Sequence, residues 1–310
     1  MDRKLISLLI VSFFFFGGII YSQEDQPEET AQQETAVQQT EGETDIQIPK
    51  APNNWVYEKE NIQGKRPVPY PYVREADVMW SKVIWRVIDL RQKMNHPLFF
   101  PTEPMEGRTS LFNLLMTGIK NGEIMAYEPN EDGDFKTPIG YEQVRANFDA
   151  GVVTQEIPDP ETGGTKEVTV TKEVNPAEVK QLILKEQWFF DKKYSTMKVR
   201  IIGICPVRFW EETDDLGDVR TQKRRAFWIY FPEARKLLAR HEVYNPNNDA
   251  QPMSFDDLFF KRIFESFIQK ESNVYNNRLI SEYTTGLNSM LESREIKYKI
   301  FEMEHDLWEY

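Results

Sequence analysis

Cysteine is nearly absent: Cys205 is the only one in 310 residues. That excludes an intrachain disulfide framework, a cysteine-rich zinc site and an iron–sulfur cluster. Histidine is scarce as well, with only His96, His241 and His305. His241-Glu242-Val243-Tyr244-Asn245 comes nearest to a zinc-protease helix, but Asn245 stands where the second histidine ligand is needed and Pro246 follows it. One histidine without its partner a turn away does not hold the metal. No serine sits in a G-x-S-x-G elbow, and no glycine-rich loop follows a strand to cradle phosphate. The cluster Asn130-Glu131-Asp132-Gly133-Asp134 lacks the glycine position and the downstream acidic closer of a calcium loop, so it reads as a turn. The adjacent pairs Asp214-Asp215 and Asp256-Asp257 read as a loop tip and a helix cap, not as an acid/base couple. Positive charge is in deficit too. With 38 Lys plus Arg against 50 Asp plus Glu, the net charge is −12, which argues against non-specific nucleic-acid binding. A non-enzymatic chain with no cofactor, metal or small-molecule substrate is the expectation.

One long apolar run is present, Leu5 to Ile20, preceded by Arg3 and Lys4 and followed by the small residue Ser22. Its reach of ~24 Å at helical rise falls short of a ~30 Å hydrocarbon core, so residues 1–22 read as a cleavable signal peptide. No cysteine follows for lipidation, so the mature chain is expected to be exported and soluble. Residues 23–50 are expected to form a disordered acidic linker. They carry eight carboxylates with no basic residue before Lys50, and they bury too little apolar surface to offset ordering entropy. Without these two segments the body is nearly balanced in charge.

From Lys50 to Tyr72 the alternating prolines Pro67, Pro69 and Pro71 predict an extended strap carrying Trp55, Tyr57, Tyr70 and Tyr72. Such a strap packs either on its own domain or on a neighbouring subunit. Apolar residues recurring from Ala76 through Trp80, Val83 and Val87 to Leu90 predict a long helix over Arg74–Asn95. A second helix, capped by Thr109 or Ser110, is expected over Leu111–Lys120, and a short strand over Glu123–Tyr127. Residues 151–174 read as an exposed β-hairpin, with Val168 and Val170 on an edge suited to interaction.

Spacing at Val179, Leu182 and Ile183 predicts more helix, followed by strands at Trp188–Asp191, Met197–Val207 and Ala226–Phe231. The run Ile201 to Cys205 is apolar on both faces, as a central strand requires, and there a thiol is a small core hydrophobe. Glu211–Asp218 and Thr221–Arg225 form an acidic tip and a basic edge of one hairpin. Helices are expected from Pro232 to Arg240, from a Ser254 cap through Phe267, and from Leu287 to about Leu307. The fold class is α+β: helices packed on a small, mostly antiparallel sheet, with an N-terminal strap and an exposed hairpin. The expected organisation is 51–175 as an N-terminal part and 176–310 as a C-terminal part, or the two as one continuous domain.

Several stretches together resemble the gliding-motility GldN family, also called PorN. They are VREADVMWSK at Val73–Lys82, IWRVIDLR at Ile84–Arg91, MKVRIIG at Met197–Gly203 and FWIYFP at Phe227–Pro232. NPNNDAQ at Asn245–Gln251, FDDLF at Phe255–Phe259, KESNVY at Lys270–Tyr275 and EHDLW at Glu304–Trp308 complete the set. The resemblance implies a periplasmic component of the type IX secretion system. It also implies a ring built with an outer-membrane lipoprotein, GldK or PorK, contact with the periplasmic part of the GldM (PorM) motor, and no catalytic residues. A soluble periplasmic hydrolase or carbohydrate-binding module is the alternative, and it would need an aromatic cleft with converging carboxylates.

Overall fold

A computed structural model describes Val56 and residues 64–307, apart from 106, 159–164 and 214–216. The expected signal peptide, the acidic linker, Trp55 and Tyr57 lie outside the described residues. In chain order the elements are β1 (Val78–Asp89), α1 (His96–Phe99), α2 (Leu111–Lys120), β2 (Ala126–Tyr127), β3 (Pro138–Ile139) and α3 (Tyr141–Ala146). Next come the hairpin β4 (Gly151–Pro158) and β5 (Thr165–Lys172), then the long strands β6 (Val179–Asp191) and β7 (Thr196–Thr213). The remainder is β8 (Val219–Arg225), β9 (Trp228–Tyr230), α4 (Phe231–Ala239), β10 (Glu242–Val243), β11 (Met253–Ser254), α5 (Phe255–Phe260), β12 (Phe267–Glu271), α6 (Ile280–Tyr283) and α7 (Leu287–Asp306). The fold is α+β. Its principal sheet has eight strands in the order β12-β1-β6-β7-β9-β2-β3, with β8 also on β7, and every pairing in it is antiparallel. The sheet draws strands from both sides of residue 175.

The expected helix over Arg74–Asn95 is instead the strand β1, paired with β6 from Val78 to Asp89. The expected helix at Val179–Ile183 is likewise the start of β6. Both errors have one cause. A strand covered on both faces shows apolar residues at every position, and a helical period can be read into such a run. Five consecutive residues of β1, from Ile84 to Ile88, are buried. Their β-branched and aromatic content favours a pleated strand. The helix capped by Ser254 is also shorter than expected: α5 stops at Phe260, Arg262 takes a left-handed φ of 56°, and Phe267 begins β12.

Alternation along β1, β6 and β7 sorts the core into two layers. Ile88, Leu182, Leu184, Ile201 and Ile204 meet the helices α2, α4 and α5 on one face. Trp85, Val87, Ile183, Cys205, Val207 and Trp228 lie on the opposite face, against Tyr127 and Phe135. A third cluster, Ile84, Ile268, Ile280, Ile296 and Ile300, seats α6 and α7 near the β12 edge. Gly203 is required by the second layer. A Cβ there would lie 2.4 Å from the ring of Phe135, which crosses the strand at that point.

Candidate functional site

The residues with chemical potential are placed structurally. His241 Nδ1 lies 3.0 Å from the carbonyl of Leu237, and Glu242–Val243 is a strand, not a helix. His96 Nε2 lies 3.1 Å from the carbonyl of Arg91, while its ring meets Phe100 edge-on. Among the described residues no cluster of three or more His, Cys, Asp or Glu is arranged to hold a metal. The turn at Asn130–Asp134 clamps the sheet face opposite the helices. The Trp228 indole donates to the Asn130 carbonyl at 2.8 Å, and the Trp85 indole to the Asp132 carbonyl at 3.2 Å. Lys185 donates to the Gly133 carbonyl at 3.1 Å, and Lys270 bonds the Asp132 carboxylate. Both ammonium groups lie over the Trp85 ring, at 5.5 and 4.7 Å from its centroid. Burial pulls the Lys185 ammonium below its ordinary value, against the opposing pull of Asp134 and Asp132. A turn whose carbonyls and carboxylates are engaged in this way works as a lid over apolar surface.

Cys205 is fully buried beneath that lid, and burial pushes its thiol up to about 12. In the folded chain Cys205 should therefore resist N-ethylmaleimide at neutral pH and label fully once guanidinium unfolds the protein. Mass spectrometry of the two samples checks this, and rapid labelling of the folded chain would contradict the burial.

On the helix face, a buried ion pair sets the framework. Arg235 forms a two-pronged pair with Asp256 at 2.8 and 3.1 Å, linking α4 to α5. The ring of Tyr70 covers that pair, 4.1 Å from the Arg235 guanidinium and 5.1 Å from that of Arg200. Burial raises the Tyr70 phenol above its ordinary value, with Arg235 opposing. Arg200 also bonds the Pro71 carbonyl and Lys65 bonds Asp257, so residues 65–71 of the strap lie on their own domain. Tyr72, one residue on, is 89% exposed. Val168 and Val170 lie on β5, opposite Gln155 and Val153 of β4. The structure thus brings Tyr70 into the body, against the Arg235–Asp256 pair.

Two surfaces escaped sequence reasoning. An apolar groove of about 610 Å³ lies between the 94–108 loop and the 244–263 segment, lined by Met94, Phe100, Met105, Tyr244 and Ile263. These residues are scattered in sequence and meet only through the fold. The outward face of α7 exposes Leu287, Met290, Leu291, Tyr298 and Phe301, opposite its buried Ile296 and Ile300. Their spacing of three and four was legible, but only a partner-free helix makes the stripe an exposed one. Trp85 and Trp228 are core residues, and Trp80 and Trp188 pack against the α6–α7 cluster, so these aromatics do not line a cleft.

The geometry assigns no chemistry to these residues, and comparison with known families says where the chain belongs. The family model for the gliding motility associated protein GldN matches residues 73–309. The chain belongs to the GldN family. The match starts just after Tyr72 and spans every helix and strand described, so the strap lies before it. The β4–β5 hairpin falls within the matched range, although no motif that first suggested GldN comes from it. No curated protein matches the chain. Among the described residues no helix is long and apolar enough to cross a membrane.

Proposed function

We propose that this chain is a non-enzymatic structural component of the type IX secretion system and the gliding machinery, working in the periplasm. The GldN family match over residues 73–309 carries the reading. In it, copies of the chain form a ring with the outer-membrane lipoprotein GldK or PorK, and that ring meets the periplasmic part of GldM or PorM. The leader expected at residues 1–22 has no cysteine for lipidation, so a lipidated partner is needed to hold the chain at a membrane. The exposed face of α7, the groove at Phe100 and the exposed Tyr72 are apolar surfaces of the kind that assemblies bury. Residues 55–72, with the hairpin around Val168 and Val170, contribute to these contacts, Tyr72 reaching outward while Tyr70 anchors the strap at home.

The test is a pull-down of the C-terminally tagged chain from native membranes, with mass spectrometry and sizing of the eluate. The expected result is a megadalton-scale assembly containing an outer-membrane lipoprotein, reduced in size when residues 55–72 are deleted. A free monomer with no lipoprotein overturns the proposal. An assembly of unchanged size from the deleted chain removes the strap from it.

A further inference from the structure

The sheet edge at β12 is covered by the long helix α7, and the seam between them holds a cleft of about 550 Å³. Arg86 of β1 and Ser293 of α7 both line it, and both are more than nine-tenths buried. Each carries donors without an acceptor among the described residues. The Arg86 guanidinium gives Nε to Glu186 at 3.0 Å, and neither of its Nη groups has a hydrogen-bond acceptor there. Ser293 Oγ accepts the Ile268 amide at 2.9 Å, which leaves the hydroxyl proton free to donate. The register of β1 on β12 slips at this point. Trp85 faces Lys270 and Arg86 faces Ile268, so Gln269 is an extra residue. A bulge of this kind re-aims the side chains beside it.

Charge around the cleft is unbalanced. At its base Glu186 is shared by Arg86 and Arg262, one carboxylate between two guanidiniums. Arg294 and Lys297 of α7 stand exposed at the rim, neither of them in an ion pair among the described residues. Glu265 is the one carboxylate that lines the cleft among those residues. The N-terminus of α7 adds to the positive excess, because Gly286 gives it no side-chain cap and its first turn has no acidic residue. Ser289 and Met290 of that turn line the cleft, and Phe267 and Ile280 extend its apolar wall. Two coplanar oxygens that meet the Nη edge of a guanidinium belong to a carboxylate. Phosphate also pairs with arginine, but it brings no apolar part to cover Phe267 and Ile280.

We infer that the cleft between β12 and α7 binds a carboxylate carried next to an apolar group. Arg86 and Ser293 hold its oxygens, Arg294 and Lys297 draw it in, and Phe267, Ile280 and Met290 cover its apolar part. Such a carboxylate comes free, as a small organic acid, or as an aspartate or glutamate side chain of a bound peptide. The site stands apart from the proposed secretion role, and the failure of either leaves the other in place.

The test is calorimetric titration of the full chain with phenylacetate and with its neutral counterpart phenylacetamide. The acid should bind saturably, one per chain, and the amide at least about tenfold more weakly. Arg294→Ala/Lys297→Ala changes only exposed side chains and should weaken binding of the acid about threefold to tenfold. Arg86→Lys keeps the charge but loses the two-pronged geometry, and should weaken it about tenfold or more. Retained protection of Cys205 from N-ethylmaleimide shows that a variant is folded. If Arg86→Lys is not, the exposed pair decides alone. A wild type without saturable binding, an amide that binds as tightly as the acid, or folded variants that bind like wild type would overturn the inference. Inorganic phosphate that displaces phenylacetate at equal concentration overturns the assignment to a carboxylate. A Leu-Glu-Leu peptide blocked at both ends separates the two sources: competition assigns the carboxylate to a peptide side chain, and its absence to a free acid.

Discussion

Glu186→Leu should destabilise the fold by about 3–5 kcal/mol, whereas the double change Glu186→Leu/Arg86→Leu should cost clearly less. Glu186 is fully buried on β6, and its Oε2 accepts from Arg86 Nε at 3.0 Å, from the Trp188 indole at 3.0 Å and from Arg262 Nη2 at 3.2 Å. Its other oxygen lies 2.9 Å from Arg262 Nη1, in ionic contact but outside hydrogen-bond geometry. One carboxylate thus serves two guanidiniums. Burial lowers the pKa of the Arg86 guanidinium, against the pull of Glu186. Removing the carboxylate alone strands Arg86, which is 6% exposed, with its charge unanswered. Removing both leaves only the half-exposed Arg262, which can turn to water. Urea denaturation of the two variants decides it. If the double variant is no more stable than the single one, the cost lies in lost packing and not in a stranded charge.

Glu186 also shows where the sequence was opaque. Its neighbours Arg86 and Arg262 come from β1 and from the turn after α5, 100 and 76 residues away, and no local pattern connects them. What local chemistry determines was legible. The Ser110 cap of α2, the Ser254–Asp257 capping box of α5, the proline start of α4 and the β4–β5 hairpin all follow from side chains acting within four residues or on short β-rich runs. Strands β1 and β6 were misread because two-sided burial erases the period that distinguishes a strand from a helix. The groove at Phe100 was invisible because its walls are joined only by tertiary packing. The family resemblance, in contrast, needed no fold at all, since it rests on ordered stretches from Val73 onward.

Trp228→Ala should be the most damaging truncation in the sheet, costing about 3–5 kcal/mol. That is a large part of the 5–15 kcal/mol that holds a typical domain. Trp228 is fully buried on β9, and its ring meets Phe135 at 6.1 Å, nearly perpendicular. The backbone of Gly133 packs so closely on the indole that a Cβ there would sit 3.0 Å from the ring. Truncation therefore leaves a cavity and also removes the hydrogen bond to the Asn130 carbonyl, the first anchor of the 130–134 lid. The two losses are separable. A cavity lowers global stability, which denaturant titration reads. A loosened lid uncovers the layer beneath it, where Cys205 lies, before the chain unfolds. Alkylation of Cys205 under native conditions should accordingly speed up by more than the change in global stability predicts. Trp228→Phe keeps most of the volume but lacks the indole donor, so it should retain much of the stability and still show part of the faster labelling. If labelling in both variants simply tracks global unfolding, the turn is a passive cover and the Trp85 and lysine contacts alone are enough to hold it down.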